Sequence, residues 1–137
     1  MIKALKLIGL DVGEKRIGVA IGSNDIRIAS PFETIDVDGN EIAKIEDIIK
    51  KEDVSVIVIG YPRNQSGETT KQTQFVKDFS EKLKFLKIET VFQDESMTSV
   101  IAEERLKSHN KPYSKKDIDA MAATIILQDY IEVNYGP

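Results

Sequence analysis

Ile8-Gly9-Leu10-Asp11-Val12-Gly13-Glu14-Lys15-Arg16-Ile17-Gly18-Val19-Ala20 reads as strand, tight turn, strand. An apolar run (Leu5, Leu7, Ile8, Leu10) arrives at one carboxylate, Asp11, and the glycine that follows permits a sharp reversal. The basic pair Lys15-Arg16 sits in the turn, and a second apolar run (Ile17, Val19, Ala20, Ile21) leads away. A carboxylate at the end of a hydrophobic strand is costly to desolvate unless something positive meets it. Asp11 is therefore either an exposed strand end paired with Lys15 or Arg16, or a metal ligand or acid/base group held on a rigid hairpin.

Outward from this hairpin, Ile26 to Asp36 reads as a third strand whose imperfect alternation and Pro31 suggest an edge or a bulge. Asp38-Gly39-Asn40 is a turn, and Ile42, Ile45, Ile48 and Ile49 then recur at helical spacing to about Lys51. Val54 to Gly60 is short, β-branched and uninterrupted, as a fully buried central strand is. A loop, Tyr61 to Glu68, leads to Thr69 and Gln72, which have capping-box spacing. The helix they open shows Phe75, Val76, Phe79, Leu83 and Leu86 on one side. Ile88 to Gln93 is a fifth strand ending at Asp94-Glu95, and Ser96 to Ser108 reads as a helix. Ser114 and Asp117 have the spacing to cap a final helix running to about Val133. The order β-β-β-α-β-α-β-α-α implies an α/β fold: a five-stranded mixed sheet, three antiparallel strands first, flanked by helices. Asp11, the Gly60–Glu68 loop and Asp94-Glu95 then all fall at carboxyl ends of strands, where such sheets collect their sites.

The 137 residues suffice for one domain, 1–137, with a proper core. There is no cysteine and one histidine, His109, which excludes a thiolate or multi-histidine metal site. Any metal centre must be oxygen-ligated, which points to Mg²⁺ or Mn²⁺. No apolar stretch reaches membrane-spanning length and the N-terminus lacks the layout of a signal peptide, so the expected location is cytoplasmic with no membrane partner. The net charge of −4 is unevenly spread: Pro31 to Asp53 carries eight acids against three lysines, while Arg105 to Lys116 carries five bases and no acid. An acidic protein with one basic face can still hold a polyanion there.

Asp94 and Glu95 are adjacent, so in a strand they face opposite sides and only one can join Asp11. The pair is otherwise a solvated strand end. On the last helix the apolar stripe is Ile118, Met121, Ala122, Ile125 and Ile126. Asp119 falls on its flank, one turn before the small Ala122 and Ala123 that allow close approach to the sheet. Asp117 is accounted for as the partner of Ser114; Asp119 has no such role. Carboxylates brought together raise one another's pKa values, and divalent cations remove that penalty. A Cys- and His-free carboxylate cluster is what two-metal phosphodiester hydrolysis needs, one ion activating water and the other stabilising the leaving oxygen. Arg105, Lys111, Lys115 and Lys116, leading into the Asp119 helix, are placed to hold neighbouring phosphates. Arg63, Asn64 and Lys71, around a helix start, offer further anion donors, although a plain connecting loop also explains them.

These residues resemble the YqgF family of RuvX-like proteins, nearly end to end. Gly9-Leu10-Asp11-Val12-Gly13 through Lys15-Arg16-Ile17-Gly18-Val19-Ala20 is similar to its opening motif. Gly60-Tyr61-Pro62 with Asn64 and Gly67 is similar to its G-x-P-x-N-x-x-G loop, and Asp94-Glu95-Ser96-Met97-Thr98-Ser99 to its D-E-R-x-[ST]-T element. Ile118-Asp119-Ala120-Met121-Ala122-Ala123 with Ile125-Ile126-Leu127 resembles its final helix. The resemblance implies an RNase H-like fold and a metal-dependent endonuclease acting on structured nucleic acid, either precursor 16S ribosomal RNA or a Holliday junction, with a homodimer allowed. It implies that Asp11, Glu95 and Asp119 form an acidic triad binding Mg²⁺ or Mn²⁺; beside that, Lys15, Arg16, Arg63, Asn64, Lys71, Arg105, Lys111, Lys115 and Lys116 are read as phosphate contacts of a two-metal site. Ser96 stands where the family usually has arginine. The nuclease is the expected reading; that departure and the acidic composition lend slight support to a rival, a nucleic-acid-binding ribosome-assembly factor with little catalysis. An actin-like ATPase also carries Asp-x-Gly in its phosphate hairpin, but one short lobe cannot close over a nucleotide.

Overall fold

The computed structural model describes residues 4–62, 71–95 and 98–136, and for 95, 98 and 99 the backbone alone. Its strands are β1 (Lys6–Val12), β2 (Arg16–Ser23), β3 (Ala29–Asp36), β4 (Val56–Pro62) and β5 (Glu89–Glu95). Its helices are α1 (Glu41–Glu52), α2 (Lys71–Lys82), α3 (Thr98–Ser108) and α4 (Lys115–Tyr135), with a 3₁₀ turn at Lys84–Leu86. The sheet order is β3-β2-β1-β4-β5. The β1–β2 and β2–β3 pairs are antiparallel, and β1–β4 and β4–β5 are parallel. This is the mixed sheet expected from the element order. It brings the carboxyl ends of β1, β4 and β5 side by side.

Strand alternation sorts the core into two layers. Ile8, Leu10, Val12, Ile17, Val19, Ile57 and Ile59 face α1 and α2, meeting Ile45, Ile48, Ile49, Val76 and Phe79. Leu7, Ala20, Val56 and Val58 face α4, meeting Ala123, Ile126, Leu127 and Ile131. Ala122 and Ile125 turn instead to Ala102 on α3, with Ile118 and Met121 packed beside them. The single stripe expected on the last helix is thus two stripes, one for α3 and one for the sheet. A helix held between two partners is apolar over most of its circumference, and its period becomes hard to read.

The α4 face of the hairpin is built of small residues. A Cβ at Gly9 would lie 2.7 Å from Leu127 Cβ, and one at Gly18 would run into the Asp119 carbonyl oxygen. Close approach of α4 therefore depends on the sheet's glycines as much as on the helix's alanines.

Several boundaries differ from those expected. β3 begins at Ala29 because Arg27 takes a left-handed conformation (φ 62°) in a turn closed by its N–H donating to the Ser23 carbonyl. Ile26 and Ile28 are left exposed. β3 is an edge strand, and its register slips where Ala20 pairs with Pro31, so the proline marks both an edge and a bulge. α2 stops at Lys82, four residues before Leu86. β4 and β5 extend two residues past their expected ends, so that Pro62 pairs with Glu95 on the last rung. No helix among the described residues is long and apolar enough to cross a membrane.

Candidate active site

The site is assembled at the carboxyl ends of the parallel strands, and α4 is the element that closes it. Asp11 pairs with Gly18 across β1 and β2, and alternation puts both on the α4 face, beside Gly9. Gly18 is also the point where the backbone of Asp119 touches the sheet. Directly opposed strand residues have Cβ positions about 5 Å apart. Residues 11 and 119, more than a hundred apart in sequence, therefore meet over one glycine.

Asp119 is partly buried and accepts a 2.6 Å hydrogen bond at Oδ2 from Arg16 Nε, a charge-assisted pair. Arg16 shares with Ala20, four residues on, the α4 face of β2. An open depression of about 280 Å³ adjoins them, lined by Arg16, Val100, Glu103, Lys115, Ile118 and Asp119. Glu103 of its wall accepts a 3.1 Å hydrogen bond from Tyr113, and burial with that carboxylate pushes the Tyr113 hydroxyl above its ordinary pKa. The first turn of α4 is set by Ser114, whose Oγ accepts from the Asp117 N–H while the Asp117 carboxylate accepts from the Ser114 N–H. This is the capping box read from the sequence. It fixes the rotation at which Lys115, Ile118 and Asp119 are presented.

On the other side of the rim, Gln72 Nε2 donates to the Val12 carbonyl at 3.2 Å and Thr73 Oγ1 donates to the Pro62 carbonyl at 2.7 Å. These bonds pin the start of α2 to the ends of β1 and β4, and bring Lys71 to the rim. Sequence reasoning gave Gln72 to a cap with Thr69, which lies outside the described residues, and gave Thr73 no role. A signal was present: Thr73 is polar, yet it falls three residues before Val76 on the helix's buried side.

The remaining sequence candidates separate. Lys15 is exposed in the β1–β2 turn, and Lys111 is exposed in the α3–α4 connection. Lys115 stands beside Arg16 and Asp119. Lys116 is engaged elsewhere: its Nζ is 3.2 Å from Asp36, and its carbonyl accepts from Thr34 Oγ1 at 2.6 Å, which ties α4 to β3. Arg105 faces Asp129, ten residues beyond Asp119 and so about 15 Å along α4. Arg63, Asn64 and Ser96 lie outside the described residues. Of the adjacent acids, Asp94 lines a depression with Tyr61, Lys77 and Phe92 on the α2 side. Glu95 is described by its backbone, at the end of β5 beside Pro62.

All the acids at this rim are hard oxygen donors, a set that fits Mg²⁺ or Mn²⁺. Among the described side chains no group of three or more potential ligands assembles, the described acids here being Asp11 and Asp119.

A mixed sheet in this order, with a helix laying an acid across the end of its first strand, defines the RNase H-like class to which the Holliday junction resolvases belong. Solved structures agree on the fold. T. thermophilus RuvC in complex with Holliday junction substrate matches with a TM-score of 0.57 at 10% identity, covering 96% of each chain. Fowlpox virus resolvase in its Holliday junction DNA complex matches with 0.59 at 13% identity, covering 94% of this chain and 98% of that one. Within that class the chain belongs to the RuvX Holliday junction resolvase family, whose model matches residues 5–133. A relative from Sulfurihydrogenibium sp. (strain YO3AOP1), named "Putative pre-16S rRNA nuclease", is 41% identical over 130 residues, covering 93% of this chain and 90% of that protein. One of the same name from Chloroflexus aurantiacus is 42% identical over 131 residues, covering 92% and 86%.

Proposed function

We propose that this chain, as one nuclease domain spanning 1–137, is a metal-dependent endonuclease that hydrolyses phosphodiester bonds in structured nucleic acid. Processing of a precursor 16S ribosomal RNA end is the favoured role, as the names of its relatives at about 40% identity suggest. The observation that carries the proposal is the meeting of Asp11 and Asp119 over Gly18 at the strand ends. Glu95 completes the acidic set, because its neighbour Asp94 is used on the opposite side of the sheet.

Asp11, Glu95 and Asp119 would hold two Mg²⁺ or Mn²⁺ ions. Bound there, the ions supply an activated water, charge neutralisation at the scissile phosphate and a stabilised leaving oxygen. The chain's own residues do the rest. Lys115, Lys71 and Lys15 border the rim and hold flanking phosphates, Lys111 extends that border, and Arg63 and Asn64, between β4 and α2 in sequence, are further contacts. Arg16 is hydrogen-bonded to the Asp119 carboxylate at Oδ2. No protein nucleophile is required.

Cleavage of a precursor 16S leader RNA and of a four-way DNA junction with Mn²⁺, by wild type and Asp11→Asn, tests this. Outer-sphere partners of metal ligands typically contribute 10- to 100-fold, so loss of a direct ligand should cost more than about 100-fold in rate with nucleic-acid binding retained. Equal behaviour of wild type and variant would establish the non-catalytic assembly factor instead.

A further inference from the structure

Tyr61 and Phe92 stand outside the three apolar clusters of the described residues. Their ring centroids are 5.1 Å apart and their planes are tilted by 59°. Lys77, on α2, places its ammonium 5.8 Å from the Tyr61 centroid. Phe92 is 42% exposed although it lies in a strand. With Gln93 and Asp94 these residues line an open depression of about 490 Å³, within the ~300–1,000 Å³ range of ligand sites. Phe92 pairs with Ile59, three rungs before the Pro62–Glu95 pair, so its ring is carried about 10 Å back from the proposed catalytic rim on the outermost strand, with Gln93 and Asp94 between.

We infer that the Tyr61–Phe92 pair, with Lys77, is a stacking platform for an unpaired base of the nucleic acid and selects a single-stranded segment beside the cut. The inference rests on the nuclease reading for its substrate, and adds which form of nucleic acid the site takes. A base stacks on any aromatic face, whatever its identity. Tyr61 backs Phe92 and limits its rotation. Lys77 occupies the Tyr61 side, which leaves Phe92 as the stacking surface and supplies a cation for a phosphate. Asp94 has the wrong sign for a phosphate, but its oxygens accept from the amino and ring N–H groups of base edges. Cation, anion and aromatic ring together suit a nucleotide better than a bare anion.

Topology adds the strand preference. The platform is on the α2 face of the sheet, whereas Asp119 approaches from the α4 face. Nucleic acid crossing the rim must bend around the β5 edge within about 10 Å to reach Phe92. A duplex with a persistence length of about 150 base pairs does not turn that sharply, and a single strand does.

The chain contains no tryptophan, so Phe92→Trp installs a sole fluorescent reporter on the platform. In EDTA, where cleavage is absent, oligouridylate should quench that fluorescence while a duplex of equal length does not. By fluorescence anisotropy, Phe92→Ala should bind the labelled single strand roughly fivefold to hundredfold more weakly, and the duplex as wild type does. Unchanged tryptophan emission at saturating oligomer, or unaltered single-strand affinity in Phe92→Ala, overturns the platform. So does a Phe92→Ala change confined to oligomeric state in light scattering, which would make this face a contact between copies. The two readings fail separately: a protein that cuts nothing yet shows Phe92-dependent binding loses the nuclease assignment alone. One that cuts with unaltered binding in Phe92→Ala loses the platform alone.

Discussion

Arg16 and Asp119 show how one contact can matter little to stability and much to chemistry. The pair is partly exposed, and ion pairs of that kind contribute about 0–1 kcal/mol. Its consequence is electrostatic: a fixed guanidinium beside an acid competes with any divalent cation the acid would hold. Arg16→Ala should leave the melting temperature within a few degrees of wild type. It should also bind Mn²⁺ more tightly by calorimetry and nucleic acid more weakly by anisotropy. Weaker Mn²⁺ binding would mean that Arg16 serves Asp119 by orienting it and does not compete. The pairing of Arg16 with Asp119 was not legible, because a basic residue in a turn says nothing about a partner 103 positions away. Asp11 and Asp119 stood out as candidates because a carboxylate at an apolar strand end, or on an apolar helix's flank, conflicts with its surroundings. The choice between Asp94 and Glu95 was not readable, since both faces of an edge strand's end tolerate charge.

At the scale of elements, α4 does most to build the site, and its beginning matters more than its length. The Ser114–Asp117 capping box was readable because it depends on local spacing alone, and the structure contains it. Ser114→Ala should cost about 1 kcal/mol, lowering the melting temperature by about 3–4 °C. Ser114→Asp, which can accept the same N–H, should recover most of the loss. Because the cap sets the first turn, the alanine variant should also reduce Mn²⁺ affinity, which calorimetry would detect. What the sequence concealed at this scale was tertiary. The two stripes of α4 merge because α3 takes one of them. The extension of β4 and β5 to Pro62 and Glu95 is decided by their mutual pairing, not by the hydrophobicity of either segment. The start of β3 was missed because Ile26 and Ile28 alternate as a strand would, yet Arg27 between them turns the chain.

At the scale of the whole molecule, the proposed site would draw its acids from three separate elements. Asp11 comes from β1, Asp119 from α4 and, in the proposed triad, Glu95 from β5. A divalent cation that binds only the folded chain stabilises it by mass action, adding about 2.7 kcal/mol at a free concentration one hundred times its Kd. For a chain of this length that raises the melting temperature by roughly 8–10 °C. The rise should appear with Mn²⁺ and Mg²⁺, vanish with excess EDTA, and be absent in the Asp11→Asn, Asp119→Asn double variant. That variant gives up the Arg16–Asp119 ion pair, so without metal it should melt within a few degrees of wild type. Scanning calorimetry of the four combinations decides the matter without any nucleic acid. A metal-induced rise of equal size in wild type and double variant would place the cation elsewhere on the acidic surface and remove the physical basis for a two-metal centre at this rim.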